Sequence, residues 1–490
     1  MIVVDSMVIF ILLSYMCLLV GIGFYFNKKS INNDMASYIL GGRSLGASAT
    51  AISACASDMS GWIMLSLPGL AFSSYIGDYA LVPLSLLFGF FVCWSTIAKR
   101  MRVYTYFASN SLTIPDFLEN RLLDNKGLVK TISAFVTVFF FAIYIASGIY
   151  AFSSLIESLF DYDRTLSALI GTLVIIAYTV LGGFLAVSWT DFFQGILLLI
   201  SLTLIPVIIF ITKDIGVTEL VEMQAAKASG HNQGFLDIIY QLGWGLAYFG
   251  QPHILSRFMA IKSTSVINKA RSISLLWLLF ALSGSVAVGL AGGIIVSDSD
   301  FSFKSEHVVI YLASLSSSSV VSGLLITAIL SAVMSSVDSQ ILIASSTMTA
   351  DVYKKWFRPN ASGKELVYAS KFFVILISLI AVLIALSDNS SIMGLVSTAW
   401  SGFGASFGPV IILSLYWRKY NMYGCLASLL TGALSTIIFD VLVDAPSYAS
   451  LTVPGFILAL IAGVFVSLLF KTEKPLLDQF DKFKIEFKNK

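Results

Sequence analysis

The stretch Ser53-Ala54-Cys55-Ala56-Ser57-Asp58-Met59-Ser60-Gly61-Trp62 lies inside an apolar segment, residues 47–75, that is long enough to cross a bilayer. The segment carries a carboxylate at Asp58, and Gly61 and Pro68 follow it. A charge in hydrocarbon is costly and is normally kept only where it faces a partner or a watery cavity. Glycine and proline also let a membrane helix open and turn its carbonyl groups toward a ligand. We interpret the stretch as a broken membrane helix that holds an ion; the alternative is a kink whose Asp58 is satisfied by a neighbouring group.

The composition indicates an all-α polytopic membrane protein. Of the 490 residues, 57% are hydrophobic and only 12% are charged, which is about half the charged fraction of soluble domains. A net charge of +2 offers no basic surface for nucleic acid. The four cysteines show no paired spacing, and the three histidines are scattered, so we expect no metal centre and no cofactor. No nucleophile–base pair suggests an enzyme.

Thirteen apolar segments have the length of about 20 residues that a membrane helix needs. The ninth is too long for one span and is expected to include a short outer helix. The segments are 7–26, 47–75, 79–98, 131–159, 164–182, 187–212, 236–258, 270–296, 308–350, 368–386, 391–417, 422–443 and 452–470.

The basic residues predict the orientation of these spans. With the N-terminus outside and the C-terminus inside, 26 of the 30 Lys and Arg fall in inner loops, among them Arg257. Such an excess of positive charge on the inner side is typical of membrane proteins. Only Arg164, Lys213, Lys227 and Lys304 fall outside. The tail, residues 471–490, is interpreted as a solvated, charged cytoplasmic end.

The seventh segment contains a second interruption, Gly243-Trp244-Gly245-Leu246-Ala247-Tyr248-Phe249-Gly250-Gln251-Pro252. Each glycine inside a helix costs about 1 kcal/mol relative to alanine, and proline costs more. The second and seventh spans are five apart and therefore oppositely oriented. Two interrupted spans at matching positions of two five-helix halves are typical of inverted-repeat transporters with a binding site at mid-membrane. We predict one transport domain with repeats at 47–212 and 236–417, a peripheral helix at 7–26 and two more within 422–470.

A third polar cluster lies in the ninth segment, Ala332-Val333-Met334-Ser335-Ser336-Val337-Asp338-Ser339-Gln340. Serines within membrane helices often only bond the carbonyl one turn back. A hard cation such as Na⁺ prefers several oxygen ligands, however. The hydroxyls of Ser335 and Ser336, set against carbonyls near Ala56 and Met59, would supply such a set.

Several motifs resemble the sodium/solute symporter family, and the resemblance extends over about residues 7–470. It implies a LeuT-type fold and Na⁺-driven uptake of a small solute through the bacterial inner membrane. The motifs are most similar to those of family members that carry L-proline; pantothenate, a monocarboxylate or another amino acid is the alternative cargo. The motifs are Tyr38-Ile39-Leu40-Gly41-Gly42-Arg43-Ser44-Leu45-Gly46, Ala56-Ser57-Asp58-Met59-Ser60-Gly61-Trp62, Gly182-Gly183-Phe184-Leu185-Ala186-Val187-Ser188-Trp189-Thr190-Asp191, Gly243-Trp244-Gly245-Leu246 with Gln251-Pro252-His253, and the cluster at 332–336.

The resemblance also implies roles for individual residues. The carbonyls of Ala56, Met59 and Ala332 and the hydroxyls of Ser335 and Ser336 would hold Na⁺, with Asp58 needed for tight Na⁺ binding. Arg43 and Asp191 match charged positions implicated in coupling or in the inner ion pathway. The positions assigned to substrate binding are Ser60, Gly61, Tyr144, Trp244, Tyr248 and Pro252.

Two residues depart from the family pattern. Ser336 stands where threonine is expected, which keeps the hydroxyl. Asp338 stands where a small polar residue is expected, and it is either a second cation ligand or a neutral or paired group.

The same residues have simpler interpretations. Trp244 and Tyr248 suit the ring and the ammonium group of proline, but they also suit ordinary packing. Arg43 would serve equally as an inner-face topology charge, and Asp191 as a helix N-cap partner.

A sensor or a channel remains the alternative to a transporter. Besides the solute, Na⁺ and the lipid bilayer, no obligatory protein partner is expected.

Overall fold

The computed structural model describes residues 6–29, 35–213, 215–228, 234–296, 304–314, 318–387, 391–443 and 449–490. Within these ranges the regular structure is helical, and one isolated bridge joins Leu45 to Ile261. In this described part, nine helices are long and apolar enough to cross a membrane, and three shorter apolar helices accompany them, Ser6–Ile22, Trp62–Ser73 and Arg164–Ala177.

The helices follow the predicted segments closely. They are α1 (Ser6–Lys29), α2 (Met35–Leu40), α3 (Ala47–Asp58), α4 (Leu67–Ser73), α5 (Leu81–Thr96), α6 (Ala98–Phe107), α7 (Ile114–Leu122), α8 (Leu128–Phe160), α9 (Arg164–Thr212), α10 (Val217–Ala228), α11 (Phe235–Leu246), α12 (Pro252–Ala260), α13 (Ile267–Ile295), α14 (Val308–Ser314), α15 (Ser319–Thr347), α16 (Gly363–Ala385), α17 (Ile392–Tyr416), α18 (Met422–Leu442), α19 (Thr452–Leu469) and α20 (Lys474–Asn489). A short helix before the ninth span is confirmed as α14, and its place on the outer side stays a prediction.

The second span is interrupted where the sequence predicts it. Helix α3 ends at Asp58, and Met59 leaves the helical conformation with φ −82° and ψ 76°. The chain resumes as a π-helix, Trp62–Ser66, and continues as α4. Glycine is required at position 61, because a Cβ atom there would lie 2.7 Å from the Cβ atom of Ala151 on α8.

The seventh span is interrupted as well. Helix α11 ends at Leu246, a 3₁₀ turn follows at Ala247–Gly250, and α12 begins at Pro252. Gln251 between them is extended, with φ −77° and ψ 107°. Proline fits the first position of α12 because its missing N–H has no helical partner there. Both predicted helix breaks are therefore confirmed.

Burial separates central helices from those that face lipid. We compare the share of buried residues in the most apolar stretch of each helix. This share is 83% in α17 and 78% in the span that includes α15, but 33% in α16 and in α19. A helix that is buried on nearly all sides belongs to the centre of a bundle. The broken helices α3 and α12 are also buried along most of their length and pack against this centre.

The segments 164–182 and 187–212 are two helical stretches of α9 that meet at Gly183, where φ 65° and ψ −174° are not helical. A positive φ suits glycine, so the change of direction needs no loop. The tail is not simply solvated, because α20 buries Leu476, Phe480 and Phe483. These residues lie at i, i+4 and i+7 and form an apolar stripe.

The stripe of α20 packs on α6. The ring of Phe483 stacks on that of Tyr104, with centroids 3.7 Å apart and planes 7° apart. The Arg418 guanidinium bonds the Asp481 carboxylate at 2.6 Å. The tail helix therefore joins the same face of the molecule as the loop between α17 and α18.

Candidate functional site

The two broken helices meet at Asp58. The Tyr248 hydroxyl, from the 3₁₀ turn of the seventh span, donates a hydrogen bond to Oδ2 of Asp58 at 2.8 Å. Nε2 of His253 on α12 lies 3.7 Å from Oδ1 of the same carboxylate. The main-chain carbonyl of Asp58 accepts hydrogen bonds from the Tyr144 hydroxyl at 3.1 Å and from Nε1 of Trp62 at 3.3 Å. The hydrogen-bond donor to Oδ2 of Asp58 thus belongs to the second interruption.

The predicted cation ligands gather between α3 and α15. The Ser335 hydroxyl donates to the carbonyl of Ala56 at 3.0 Å and lies 3.1 Å from the carbonyl of Ala332. The Ser336 hydroxyl lies 3.2 Å from the carbonyl of Ala332. Each hydroxyl oxygen keeps lone pairs that can face a cation. Met59 caps α3 three residues after Ala56. The role of its carbonyl and of the other four oxygens as cation ligands stays a prediction.

A wall of aromatic rings borders the same region. The rings of Trp62 and Trp244 stack with centroids 5.9 Å apart and planes 29° apart. Trp400 on α17 lies 6.1 Å from Trp244 and donates its Nε1–H to the Trp244 carbonyl at 2.9 Å. The Tyr248 ring meets Trp400 edge to face at 5.2 Å. Trp244 and Tyr248 therefore lie together, with Trp400 as a third member that the sequence did not single out.

The remaining predicted substrate residues lie around the breaks. The buried Ser60 side chain lies close to the Tyr144 hydroxyl, and Gly61 packs between Ala151 and Val333. Pro252 opens α12 and lines a small cavity of about 20 Å³, together with residues of α2, α7, α8 and α15. Five of the six predicted substrate residues thus adjoin the aromatic wall or the break of α3, whereas the sixth, Pro252, lines this cavity.

Asp191 belongs to a buried ion pair. Its Oδ2 atom accepts hydrogen bonds from Nη2 of Arg257 at 3.0 Å, from Ser53 at 2.7 Å and from Ser339 at 3.1 Å. Asp191 lies inside α9, so the alternative of an N-cap partner is wrong. Arg257 was predicted in an inner loop, but it lies on α12 and is fully buried.

Sequence reasoning missed Arg257 because nothing local distinguishes it from the basic residues that end many membrane spans. Its partners on other helices lie 66 or more positions away in the chain. One feature of the sequence could have indicated it. If a helix begins at Pro252 and continues through Ser256, Arg257 lies one helical turn after His253 and within the span.

Arg43 lies apart from this centre. Its guanidinium donates hydrogen bonds to carbonyls at the end of α12 and beyond α6, and to two side chains of the α6 region, so it is more than a topology charge. Burial, with the nearby Arg102 charge, lowers the pKa of Arg43 to about 10, which still leaves it protonated at neutral pH. Its partners are the Met259 carbonyl, the Ser111 carbonyl, Thr105 and Asn110.

Asp338 follows Ser335 by one turn on α15 and is fully buried. Its carboxylate is within electrostatic range of the Arg257 guanidinium and of the Tyr15 hydroxyl on α1.

Comparison with known proteins identifies the family. The sequence pattern of the Sodium:solute symporter family matches residues 38–432, which is most of the chain. The chain belongs to the sodium:solute symporter family. It is 40% identical over 470 residues to the high-affinity proline transporter PutP of Bacillus subtilis, with 94% of this chain and 98% of that protein aligned. It is 41% identical over 460 residues to the sodium/proline symporter of Escherichia coli, with 92% and 90% aligned.

The fold is also that of a solved symporter. A structure described as a substrate-bound, outward-open Na⁺-coupled sialic acid symporter superposes with a TM-score of 0.79 over 96% of this chain and 99% of that one, at 18% identity. This likeness concerns the fold alone. As a member of this family with bacterial relatives and nine long apolar helices in its described part, the chain is a multi-pass transporter of the bacterial cytoplasmic membrane.

Proposed function

We propose that this family member couples the inward movement of Na⁺ to the uptake of L-proline by alternating access. The names of its relatives in Bacillus subtilis and Escherichia coli support proline as the cargo. The observation that carries the proposal is the Tyr248–Asp58 hydrogen bond of 2.8 Å, which joins the interruptions of two membrane helices beside the Ala56–Ser335 contact.

Na⁺ would bind between α3 and α15. Its ligands would be the carbonyls of Ala56, Met59 and Ala332 and the hydroxyls of Ser335 and Ser336. In support, both hydroxyls already lie within 3.2 Å of the Ala332 carbonyl, and oxygen atoms are the ligands that hard cations prefer. Asp58, two residues after Ala56, would raise Na⁺ affinity through its charge.

Proline would lie beside the aromatic wall. Its ring would contact Trp244 and Tyr248, and its secondary ammonium group would face their π surfaces. The positive end of α12, which begins at Pro252, favours a carboxylate nearby. Ser60 and Gly61 would contribute from the break of α3, and Tyr144 would hold that break through its bond to the Asp58 carbonyl.

Coupling would follow from the position of Na⁺. An ion that bridges α3 and α15 stabilises the arrangement in which the proline site is complete, and movement of the bundle then opens the inner side. Asp191 and Arg43 would act on that inner side. Asp191 accepts hydrogen bonds from side chains of α3, α12 and α15, and Arg43 donates a hydrogen bond to the last turn of α12. One charge moving inward across 100 mV contributes about 2.3 kcal/mol, and this drives accumulation.

The topology would be that of a LeuT-type protein with thirteen spans. The repeats 47–212 and 236–417 would be related by inversion, with the N-terminus outside and the C-terminus inside. The two interrupted spans, five apart, support this arrangement. A second cation at Asp338 stays a prediction of the sequence.

Uptake into proteoliposomes tests the proposal. Radiolabelled proline should accumulate only with an inward Na⁺ gradient, and pantothenate, monocarboxylates and other amino acids should compete poorly. Ser335→Ala and Asp58→Asn should raise the Na⁺ concentration needed for half-maximal uptake, whereas Ser283→Ala, at an exposed serine of α13, should not. Equal uptake with K⁺ in place of Na⁺ would overturn the proposal.

A further inference from the structure

The small cavity beside Pro252 lies on the inner side of the proposed binding site, as the proposed topology orients the spans. Ser256 and Met259 line it on α12, and Ser346 and Thr347 line it on α15. The two residues of α12 follow Pro252 along their helix, and the two of α15 follow the proposed Na⁺ ligands along theirs. The cavity therefore marks a path from the proposed site toward the cytoplasm.

A short segment of the loop between α6 and α8 meets the inner parts of α12 and α15 at this cavity. Residues 112–115 also line it, and they lead into α7, which Thr113 caps by accepting a hydrogen bond from the Asp116 N–H at 3.0 Å. We call residues 112–119 the strap. Because the strap packs across the path, it has to move before the path can open to the inner side.

A buried ammonium group holds the strap in place. Nζ of Lys130, at the start of α8, lies 2.8 Å from Oδ1 of Asp116 and 2.9 Å from Oε2 of Glu119, and the Lys130 side chain is only 10% exposed. Nζ of Lys355 binds the other oxygen of Glu119 at 2.6 Å, but that lysine is 32% exposed. Ion pairs that are shielded from solvent are stronger than exposed ones. Lys130 is therefore the main attachment of the strap.

A third carboxylate faces the same ammonium group. Asp351 lies on the π-helix Met348–Phe357, which follows α15, and it is fully buried. Its Oδ1 atom is 3.6 Å from Nζ of Lys130, and neither of its side-chain oxygens has a hydrogen-bond partner in the described part of the chain. Burying a carboxylate without compensation is strongly unfavourable. Asp351 therefore offers Lys130 a second partner within a short movement of the lysine side chain.

We propose that Lys130 is a latch with two positions. Paired with Asp116 and Glu119 it holds the strap across the inner path, and paired closely with Asp351 it releases the strap. The inference rests on the proposed alternating-access function, which requires this path to open once in each cycle. Because the ammonium group keeps a carboxylate partner in both positions, release does not leave a buried charge uncompensated. Lys130 is a positioning residue, since it is not among the proposed ligands of Na⁺ or proline.

Labelling of a cysteine placed in the path tests the latch. The full-length chain carries Ser346→Cys, together with Cys17→Ser because Cys17 is exposed, and a membrane-impermeant maleimide is applied to inside-out vesicles in Na⁺ without proline. Lys130→Gln should raise the labelling rate roughly 10-fold or more, because charge-assisted hydrogen bonds to the strap are lost. Lys130→Arg keeps the charge and should keep the low rate. So should the matched control Lys126→Gln, at an exposed lysine of the same loop.

Replacement of Asp351 separates a latch with two positions from a fixed clamp. Proline added to the wild-type latch should raise the labelling rate, because transport opens the path in each cycle. Asp351→Asn removes the second partner, so it should reduce this rise and the maximal rate of proline uptake while leaving proline binding in Na⁺ unchanged. The control Asp478→Asn, at an exposed aspartate of α20, should change none of these quantities.

Two results would overturn the inference. Equal labelling rates in Lys130→Gln and Lys126→Gln would show that Lys130 does not hold the strap. Without proline, labelling of Asp351→Asn as fast as that of Lys130→Gln would show that Asp351 belongs to the closed position. Absence of Na⁺-dependent proline uptake in the wild type would overturn the proposed function, whereas the labelling without proline would still test the strap.

A crosslink covers the case in which Lys130→Gln does not fold. Leu112→Cys and Ser346→Cys place two thiols on the wall of the same cavity, one in the strap and one on α15, without removing a charge. Joining them with a short bifunctional thiol reagent should stop proline uptake and leave Na⁺-dependent proline binding intact. Undiminished uptake by the crosslinked protein would contradict the role of the strap.

Discussion

Asp58 contributes two different acceptors to the contact between the broken helices. Its carboxylate accepts from Tyr248, and its main-chain carbonyl accepts from Tyr144. A hydrogen bond to a charged group is worth about 1.5–3 kcal/mol, and one between neutral groups about 0.5–1.5 kcal/mol. The Tyr248 hydroxyl should therefore stabilise this contact more than the Tyr144 hydroxyl does, although both bond to the same residue.

Replacing each hydroxyl separately tests this difference. Tyr248→Phe should weaken Na⁺-dependent proline binding by roughly 10- to 100-fold, because an ionised acceptor loses its donor. Tyr144→Phe should weaken it by roughly 3- to 10-fold. The measurement is radiolabelled proline binding at graded Na⁺ concentrations, and equal effects of the two substitutions would contradict the assignment.

Residues were predictable where they are unusual in their own segment. Asp58 and the pair Ser335 and Ser336 stand out because polar groups are costly among apolar neighbours, and a resemblance to a known family added Tyr144 and Tyr248. Arg257 and Trp400 were not predictable, because their importance arises from partners on other helices. Burial of Arg257 against Asp191 follows from how α12 packs against α3 and α15, which also contact α9, and no local pattern encodes that packing.

Helices α5 and α11 approach each other through glycine. A Cβ atom on Gly245 would lie 2.0 Å from the Ser85 carbonyl oxygen, and one on Gly89 would lie 2.1 Å from the Gly245 carbonyl oxygen. Backbone atoms cannot move aside as a flexible side chain can. Close approach of this kind is common where membrane helices pack through small residues.

Gly245→Ala should therefore destabilise the protein by about 1–3 kcal/mol through overpacking, and it should lower the melting temperature in detergent. Gly21→Ala on α1 is the matched control, because no atom lies within 4 Å of the position its Cβ would take. A melting temperature for Gly245→Ala equal to that of the control would show that α5 and α11 are not in close contact.

Helix α20 offers a test of the tail. Phe483 is fully buried against Tyr104, whereas Ile485 on the same helix is 63% exposed. Truncating a buried phenylalanine to alanine costs about 3–5 kcal/mol, so Phe483→Ala should lower the melting temperature clearly. Ile485→Ala should change it little, and a similar loss in both variants would mean that α20 does not dock through its apolar stripe.

The helix breaks were predictable from sequence, whereas the docking of α20 was not. Glycine and proline within a spanning segment act locally, so their effect can be seen without the fold. The tail contains six lysines in its 20 residues, and this composition obscured the stripe of Leu476, Phe480 and Phe483. The break at Gly183 falls between the predicted segments 164–182 and 187–212, and a single glycine at positive φ makes it without a loop.

At the scale of the whole molecule, Na⁺ binding and proline binding would be linked. Na⁺ between Ala56 and Ser335 would join α3 to α15, and proline beside Trp244 and Tyr248 would join α3 to the seventh span. Because both ligands stabilise the same arrangement, each must tighten the other by the same factor. The rings of Trp62, Trp244 and Trp400 lie together at this junction and provide an optical signal.

The most direct test is a pair of titrations on the purified protein, followed by tryptophan fluorescence: Na⁺ with and without proline, and proline with and without Na⁺. Proline should lower the apparent Kd for Na⁺ by the same factor by which Na⁺ lowers that for proline, and Ser335→Ala should remove this factor in both directions. Proline affinity that is identical in Na⁺ and in K⁺ would contradict this linkage.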